Sequence, residues 1–412
     1  MDNVQHEVDR LYKSHFGKMV TSMVDFSHDI DLGTAEDLVQ DAFSAALVAW
    51  RKDAMPSNPA GWIYTVCKNK ALNKIKEGKR YSGILIHEDI ASPNAAPPPR
   101  QVLEDYQLRL LFACAHPDLS PKVQVVITLK YVVNLKVEAI AKILGLTVDG
   151  IDKLLVRARQ KIKEAKHLLA EPDLQALQPR VAVVHKIIYL IFNEGYKSSW
   201  GKELVREELC EEALLLNRAL QNSMCGNEET ATLYALMLFN AARFKARFGP
   251  SGELLDLGEQ DRSLWNRDLI QLGSHYMQQS RDSQASTYHY EAAIAYLHCK
   301  AKDFAATDWP AITRLYAQLL RLHPNPFVEL NYAIALYYAG RKEEAMLILN
   351  GLRQHPFLSQ YYLLNAALGK LHFLEGDLPA AKKYWEKTLP QTNSQLEKEF
   401  IQRMIDQLTT DN

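Results

Sequence analysis

Twenty residues, 137–156 (VEAIAKILGLTVDGIDKLLV), constrain this chain more than any other stretch. Ile140, Leu144, Leu146, Ile151 and Leu154 recur at helical spacing, as the inward positions of two short helices would. A small residue, Ala141, falls where crossing helices need close approach. Gly145 follows four residues later, where the chain must reverse with positive φ. The side chain of Thr147 or Asp149 is placed to cap the second helix. This is the pattern of a helix-turn-helix, and its second helix runs on into Arg157, Arg159, Lys161 and Lys163, cations suited to phosphates. A hairpin in an unrelated α-domain can mimic the apolar spacing, but it rarely unites the alanine, the glycine and the basic tail.

At 412 residues the chain exceeds one hydrophobic core and should form two to four domains. A net charge of −1 argues at first against a nucleic-acid partner, but the charge is segregated. Residues 121–170 carry ten Lys/Arg against four Asp/Glu, and residues 68–80 carry six against one, whereas residues 171–412 sum to about −4. Two basic patches suit a protein that meets DNA at two places. The five cysteines form no CxxC and are odd in number, which predicts reduced thiols in a cytosol. The N-terminus lacks an apolar signal core, and the longest apolar stretch, residues 181–192, is broken by His185 and Lys186 and is too short for a bilayer. A soluble, cytoplasmic protein with no membrane partner is expected.

Helical patterns cover residues 4–16, 17–26, 35–50 and 59–79, and a second block covers 102–169. Between them, residues 81–101 lose the periodicity and contain Pro97-Pro98-Pro99, which favours an extended, flexible linker. Glu171-Pro172 marks another joint. The remainder is again helix-rich, and no segment alternates as a strand would, so the chain is expected to be all-α. In the first block, Leu38, Val39, Ala42, Phe43 and Ala46 share one helix face and leave Glu36, Asp37, Gln40 and Asp41 on the other. Taken alone, that acidic face reads as solvated surface. The next helix opens at Asn58-Pro59 and carries Lys68, Lys70, Lys74, Lys76, Lys79 and Arg80 on its outside. Trp62 on it suits the core, yet an aromatic and Asn residues beside a basic face also suit stacking of unpaired bases.

AEDLVQDAF, PAGWIYTVCKNKALNKIK, a Pro-rich linker and a helix-turn-helix closing in LLVRARQKIKEA together resemble a bacterial sigma-70-family factor of the extracytoplasmic-function group. IYLIFNEGY, EQDRSLWNRDLI, TDWPAI and LNYAIALYYAGRKEEAM resemble the subgroup with a long C-terminal helical-repeat extension. The resemblance implies core RNA polymerase, through its β′ clamp helices and β flap, and promoter DNA as partners. It assigns Asp37, Leu38, Val39, Gln40 and Asp41 to the clamp helices, and Trp62, Lys68, Asn69, Asn73 and Lys74 to melting and reading of the −10 element. It lays residues 147–160 in the major groove of the −35 element. Thr147, Val148, Gly150, Ile151, Lys153 and Leu154 would lie near bases, with Arg157 and Arg159 on phosphates. Asp149 and Asp152 sit awkwardly beside phosphates. They either favour the helix N-terminus or accept from cytosine amino groups.

In the C-terminal part, Gly340 and Gly376 are 36 residues apart, as are Ala345 and Ala381, so a helix, a tight turn and a second helix repeat. That resembles a tetratricopeptide repeat, slightly longer than its usual 34 residues, and an earlier unit over 290–324 is more degenerate. Such hairpins expose a concave face for a peptide or protein, or else simply complete the fold. In the resembling subgroup the extension, rather than a separate anti-sigma factor, carries the regulation. No nucleotide, hydrolase or metalloprotease motif is present, and Cys114-x-His116 is a weak metal signal, so neither catalysis, nor a cofactor, nor a metal is expected. Asn193–Tyr196 and Glu259–Arg262 either line a pocket or form hydrogen-bonded corners. The expected organisation is residues 1–80 as a polymerase-binding and −10 bundle, 81–101 as linker, 102–170 as the −35 domain and 171–412 as a regulatory repeat domain. The alternatives are a repressor or activator acting without polymerase, which would usually be a dimer on a palindrome, and a helical-repeat adaptor.

Overall fold

The computed structural model describes residues 3–27, 30–52, 55–81, 100–164, 174–196, 207–280 and 285–410. Among these, every regular element is helical and the one extended pairing is an isolated bridge between Phe248 and Leu254. The chain is all-α, as its periodicity predicts. It forms two compact units, residues 1–191 with 215–225 and residues 192–214 with 226–412. Among the described residues no helix is long and apolar enough to cross a membrane.

The first unit contains α1 (Asn3–Phe26), α2 (Leu32–Lys52), α3 (Pro59–Tyr81), α4 (Arg100–Cys114), α5 (Pro121–Ile127), α6 (Val137–Ile143), α7 (Val148–Glu164) and the short α8 (Leu174–Leu177). Residues 82–99 of the expected linker, its triple proline included, and Glu171-Pro172 lie outside the described residues. The chain pattern suggests a break at Gly17, but α1 runs through it. This glycine serves close approach rather than termination. A Cβ on it would lie 2.8 Å from the Val132 carbonyl oxygen and 3.0 Å from that of Tyr131. Those carbonyls belong to a π-helical turn, Thr128–Val132, that follows α5 and is closed by Val133 N–H donating to the Thr128 carbonyl at 3.0 Å. Six consecutive residues of α1, Met19–Val24, are buried. A helix buried round its whole circumference is covered on every side. Here α2 and α3 cover one side, and α4 with the π-turn covers another, so both helical blocks pack on one central helix.

Helices α9 (Val181–Tyr196) and α10 (Glu207–Gln221) each contribute to both units. The second unit continues with α11 (Glu228–Ala241), α12 (Arg267–Gln279), α13 (Thr287–Lys300), α14 (Trp309–Leu322), α15 (Pro326–Tyr338), α16 (Lys342–Leu352), α17 (Tyr362–Leu374), α18 (Leu378–Thr388) and α19 (Gln395–Thr410). A reciprocal Asn227–Thr230 capping box starts α11, which is buried along nearly its whole length. The pairs α15–α16 and α17–α18 turn through Gly340 (φ +86°) and Gly376 (φ +77°) with the same two bonds. Arg341 N–H reaches the Leu336 carbonyl and Asp377 N–H that of His372, both at 2.9 Å, and each glycine N–H donates at 3.0 Å one residue further on. This is one helix-ending motif used twice at the predicted spacing.

The Glu259–Arg262 cluster is a structural corner. Arg262 donates to the carbonyls of His298 (2.6 Å) and Ala301 (2.9 Å) and to Thr307 Oγ1 (3.3 Å), while Asp261 accepts from Ser263 N–H. The five cysteines are free and buried, and burial lifts the thiols of Cys67 and Cys114 to about 12. His116 Nδ1 accepts from Asp118 N–H at 3.1 Å, and among the described residues no group of three or more His, Cys, Asp and Glu side chains could hold a metal.

Candidate nucleic-acid interface

Helix α6 ends in a left-handed residue, Gly145 (φ +62°), with Leu146 N–H donating to the Ala141 carbonyl (2.8 Å) and Gly145 N–H to that of Lys142 (3.2 Å). This closure satisfies the last carbonyls of α6 and sets the angle at which α7 leaves. Of the two candidate caps, Thr147 is the one the helix uses, its Oγ1 accepting from Gly150 N–H at 3.1 Å. Asp149 instead pairs with Lys153 at 2.7 Å on the exposed surface, where such a pair contributes little stability.

Ile151, Leu155, Ala158 and Ile162 of α7 are buried, which anchors one face and turns the other outward. The outward stripe holds Val148, Asp149, Asp152, Lys153, Val156, Arg157, Gln160 and Lys161. Of the residues assigned to the −35 element, Thr147, Val148, Lys153 and Arg157 are exposed, Gly150 and Leu154 are half-buried, and Ile151 lies in the core. Val148 and Val156 are 43% and 61% exposed, apolar groups left on an otherwise polar stripe and of a kind that meets thymine methyls. Val156 and Gln160 fall within the stretch 147–160 laid in the groove but were not singled out there, although helical spacing from Val148 points to both.

Arg159 points elsewhere. Its Nε donates to the Tyr131 hydroxyl at 2.5 Å and its Nη2 lies 3.1 Å from Glu36 Oε2. Lys130 Nζ is 2.8 Å from the other Glu36 oxygen, on which Gln40 also donates at 3.4 Å. Glu36 is therefore buried, contrary to the solvated place its helix face predicts. The surface of α2 that carries it is covered by α7 and the π-turn, contacts far away in sequence. Burial, and then the Glu36 carboxylate, push the Tyr131 phenol upward.

On α2, Asp37, Gln40 and Asp41 are exposed while Leu38 and Val39 pack inward. Asp41 lies 3.3 Å from Lys70 of α3. Asn58 caps α3 by accepting from Gly61 N–H at 3.0 Å, ahead of the helix-initiating Pro59. Ile63, Cys67 and Ala71 anchor that helix. Trp62, Lys68 and Asn69 are half-buried, and Asn73 and Lys74 are exposed. Trp62 meets Trp50 edge-on at 5.6 Å, and Lys68 Nζ sits 5.5 Å from the Phe26 ring centre. One ring face can thus pack while another edge stays open.

Residues 23–81 match the family described as Sigma-70 region 2, residues 109–162 that described as Sigma-70, region 4, and residues 180–281 a family of unknown function, DUF6596. An uncharacterized protein of Rhizobium meliloti (strain 1021) is 30% identical over 401 residues, covering 92% of this chain and 91% of that protein. The probable ECF RNA polymerase sigma factor SigI of Mycobacterium tuberculosis, in strains CDC 1551 / Oshkosh and H37Rv, is 32% identical over 141 residues, covering 33% of this chain and 48% of that protein. No solved structure matches the chain.

Proposed function

This chain belongs to the sigma-70 family of RNA polymerase sigma factors, and from that premise we propose how its surfaces divide the work. A sigma factor has core RNA polymerase and promoter DNA as its partners. The exposed acids of α2, Asp37 and Asp41 with Gln40 between them, dock on the β′ clamp helices. The outer surface of α3, through Trp62, Lys68, Asn69, Asn73 and Lys74, takes up unpaired −10 bases. An aromatic edge and amide groups there replace the stacking and pairing that an opened base loses.

Helix α7 reads the −35 major groove through Val148, Lys153, Val156 and Gln160, with Arg157 on phosphate, and its domain also meets the β flap. The observation that carries this reading is the α6–α7 motif, with one face anchored, a glycine-closed turn and a cation-bearing stripe left open. The C-terminal unit modulates these events, its repeated hairpins offering a tetratricopeptide-like surface to a peptide or protein. It supplies no chemistry of its own. Binding energy spent on opened DNA and on polymerase is what the protein contributes.

Capture of core polymerase by the full chain tests the docking assignment. Asp37→Asn with Asp41→Asn should weaken capture strongly without weakening the affinity for duplex DNA. Undiminished capture by the double variant would remove α2 as the docking element.

A further inference from the structure

Within the second unit, the segment 249–261 is unlike the helices around it. It holds four acids, Glu253, Asp256, Glu259 and Asp261, and no Lys or Arg. Gly249 N–H donates to the Glu253 carbonyl at 2.9 Å and closes a small turn, and Leu255 N–H donates to the Arg247 carbonyl at 2.9 Å. Asp256 and Glu259 then cap each other. Asp256 Oδ1 accepts from Gly258 N–H at 2.8 Å and from Glu259 N–H at 3.0 Å, while Glu259 Oε2 accepts from Asp256 N–H at 2.8 Å.

Both carboxylates also reach across to the repeated hairpins. Asp256 Oδ2 lies 3.0 Å from Lys370 Nζ of α17, and Glu259 Oε2 lies 3.0 Å from Arg403 Nη2 of α19. The same Nη2 donates to the Leu254 carbonyl at 3.0 Å. Burial, and then the Asp256 charge, push the Tyr338 phenol of α15 up to about 12. Helices α15 and α17 are the first helices of the two glycine-closed hairpins, and α19 follows the second. In a stack of such hairpins the equivalent helices line up along one face, the surface that repeat proteins offer to partners. Here the acidic turn already lies on it.

We propose that this turn is an internal ligand of the repeat face, and that the face takes in its place an extended acidic segment of a partner protein. Two carboxylates of that segment, spaced as Asp256 and Glu259 are, meet Lys370 and Arg403. The exchange is physically easy. The four paired side chains are 28–31% exposed, and ion pairs so exposed hold weakly. The turn also leaves one donor unmet, because Arg403 Nε is buried with no hydrogen-bond partner. Glu259 Oε2 is shared with Asp256 N–H and engages only Nη2. A carboxylate free of that duty can take Nε and Nη2 together, the stronger bidentate geometry. Charge fixes the class of the partner, since a neutral or basic segment would leave both cations without a counter-charge. The proposal deepens, and rests on, the reading of the second unit as a surface for a peptide or protein.

The test measures binding of a fluorescein-labelled synthetic peptide of residues 249–261 to the full chain, read by anisotropy. Asp256→Asn with Glu259→Gln in the chain neutralises the internal ligand. That variant should bind the peptide roughly tenfold tighter than wild type, because the competent fraction rises. Adding Lys370→Ala and Arg403→Ala to it should remove the gain, and a peptide carrying the same two amide substitutions should not bind. If the loop variant fails to fold, amide exchange in the wild-type chain takes its place. Unlabelled peptide at about 1 mM, the effective concentration of a short tether, should then speed exchange at Gly258 and Glu259. Equal affinity of wild type and the folded loop variant, or unaltered exchange, overturns the internal ligand. Binding that survives the loss of both cations overturns the acidic class and leaves a peptide-taking surface standing. No binding by either chain, although the loop amides exchange faster in the loop variant, overturns that surface itself. Dimers of the loop variant that exclude the peptide make a second copy the occupant and overturn the external partner.

Discussion

Two glycines show how differently single residues act in this chain. Gly145 supplies a left-handed turn with nothing within 4 Å of where a Cβ would sit, so its role is conformational only. Gly17 has ordinary helical geometry but no room, since the obstacles at 2.8 and 3.0 Å are backbone oxygens that cannot swing aside. Gly17→Ala gains about 1 kcal/mol of helix propensity and incurs about 1–3 kcal/mol of overpacking. Thermal unfolding should therefore show a net loss, with the contact between α1 and the π-turn loosened. His298 gives a pH signature in the second unit. Its burial first, and then Arg243 and Arg262, push the imidazole from 6.5 down to about 3, and its Nδ1 has no hydrogen-bond partner. The folded state keeps this group neutral, while the unfolded chain binds a proton below about 6.5. Its stability contribution is therefore full above that pH and is lost as pH falls toward 3. In melts between pH 4 and 7, His298→Gln should flatten the fall in stability by one proton's worth. An unaltered slope would mean that His298 is protonated in the folded protein.

Among the elements, α7 is where a reading of the chain succeeds and fails within one helix. Gly145 and the Thr147 cap, one of the two the sequence offers, were legible because their demands are local: a positive φ and a side-chain acceptor. The repeated turns at Gly340 and Gly376 were legible for the same reason. Arg159 was not, because a cation in a basic run looks like its neighbours until α2 folds against it. Glu36 and the unbroken course of α1 were hidden likewise, each decided by a partner more than 90 residues away in the chain. On the exposed stripe, Arg157→Ala should weaken duplex binding across all sequences and reduce the salt slope by about 0.9. Val156→Ala should instead act selectively, losing affinity where the site carries a thymine. Selection of bound sequences by the variants separates the two behaviours. Equal sequence preference in wild type and Val156→Ala would take that valine out of the reading face.

For the whole molecule, the division into units bears on how regulation can be dissected. The boundary falls inside α9 and α10, so a cut near residue 170 would strip helix from the first unit, whereas an end after Cys225 keeps that unit's share of both. If the C-terminal unit restrains initiation, the chain ending at 225 should transcribe more than the full chain; if it assists, less. Equal activity from both would remove the modulatory role. Transcription in vitro from a genomic promoter library, with purified core polymerase and the full chain, bears most directly on the sigma assignment. Defined start sites sharing one −10 and one −35 element, absent when the chain is omitted, are the expected result. A soluble, folded chain that binds its cognate core yet yields no start sites would contradict it.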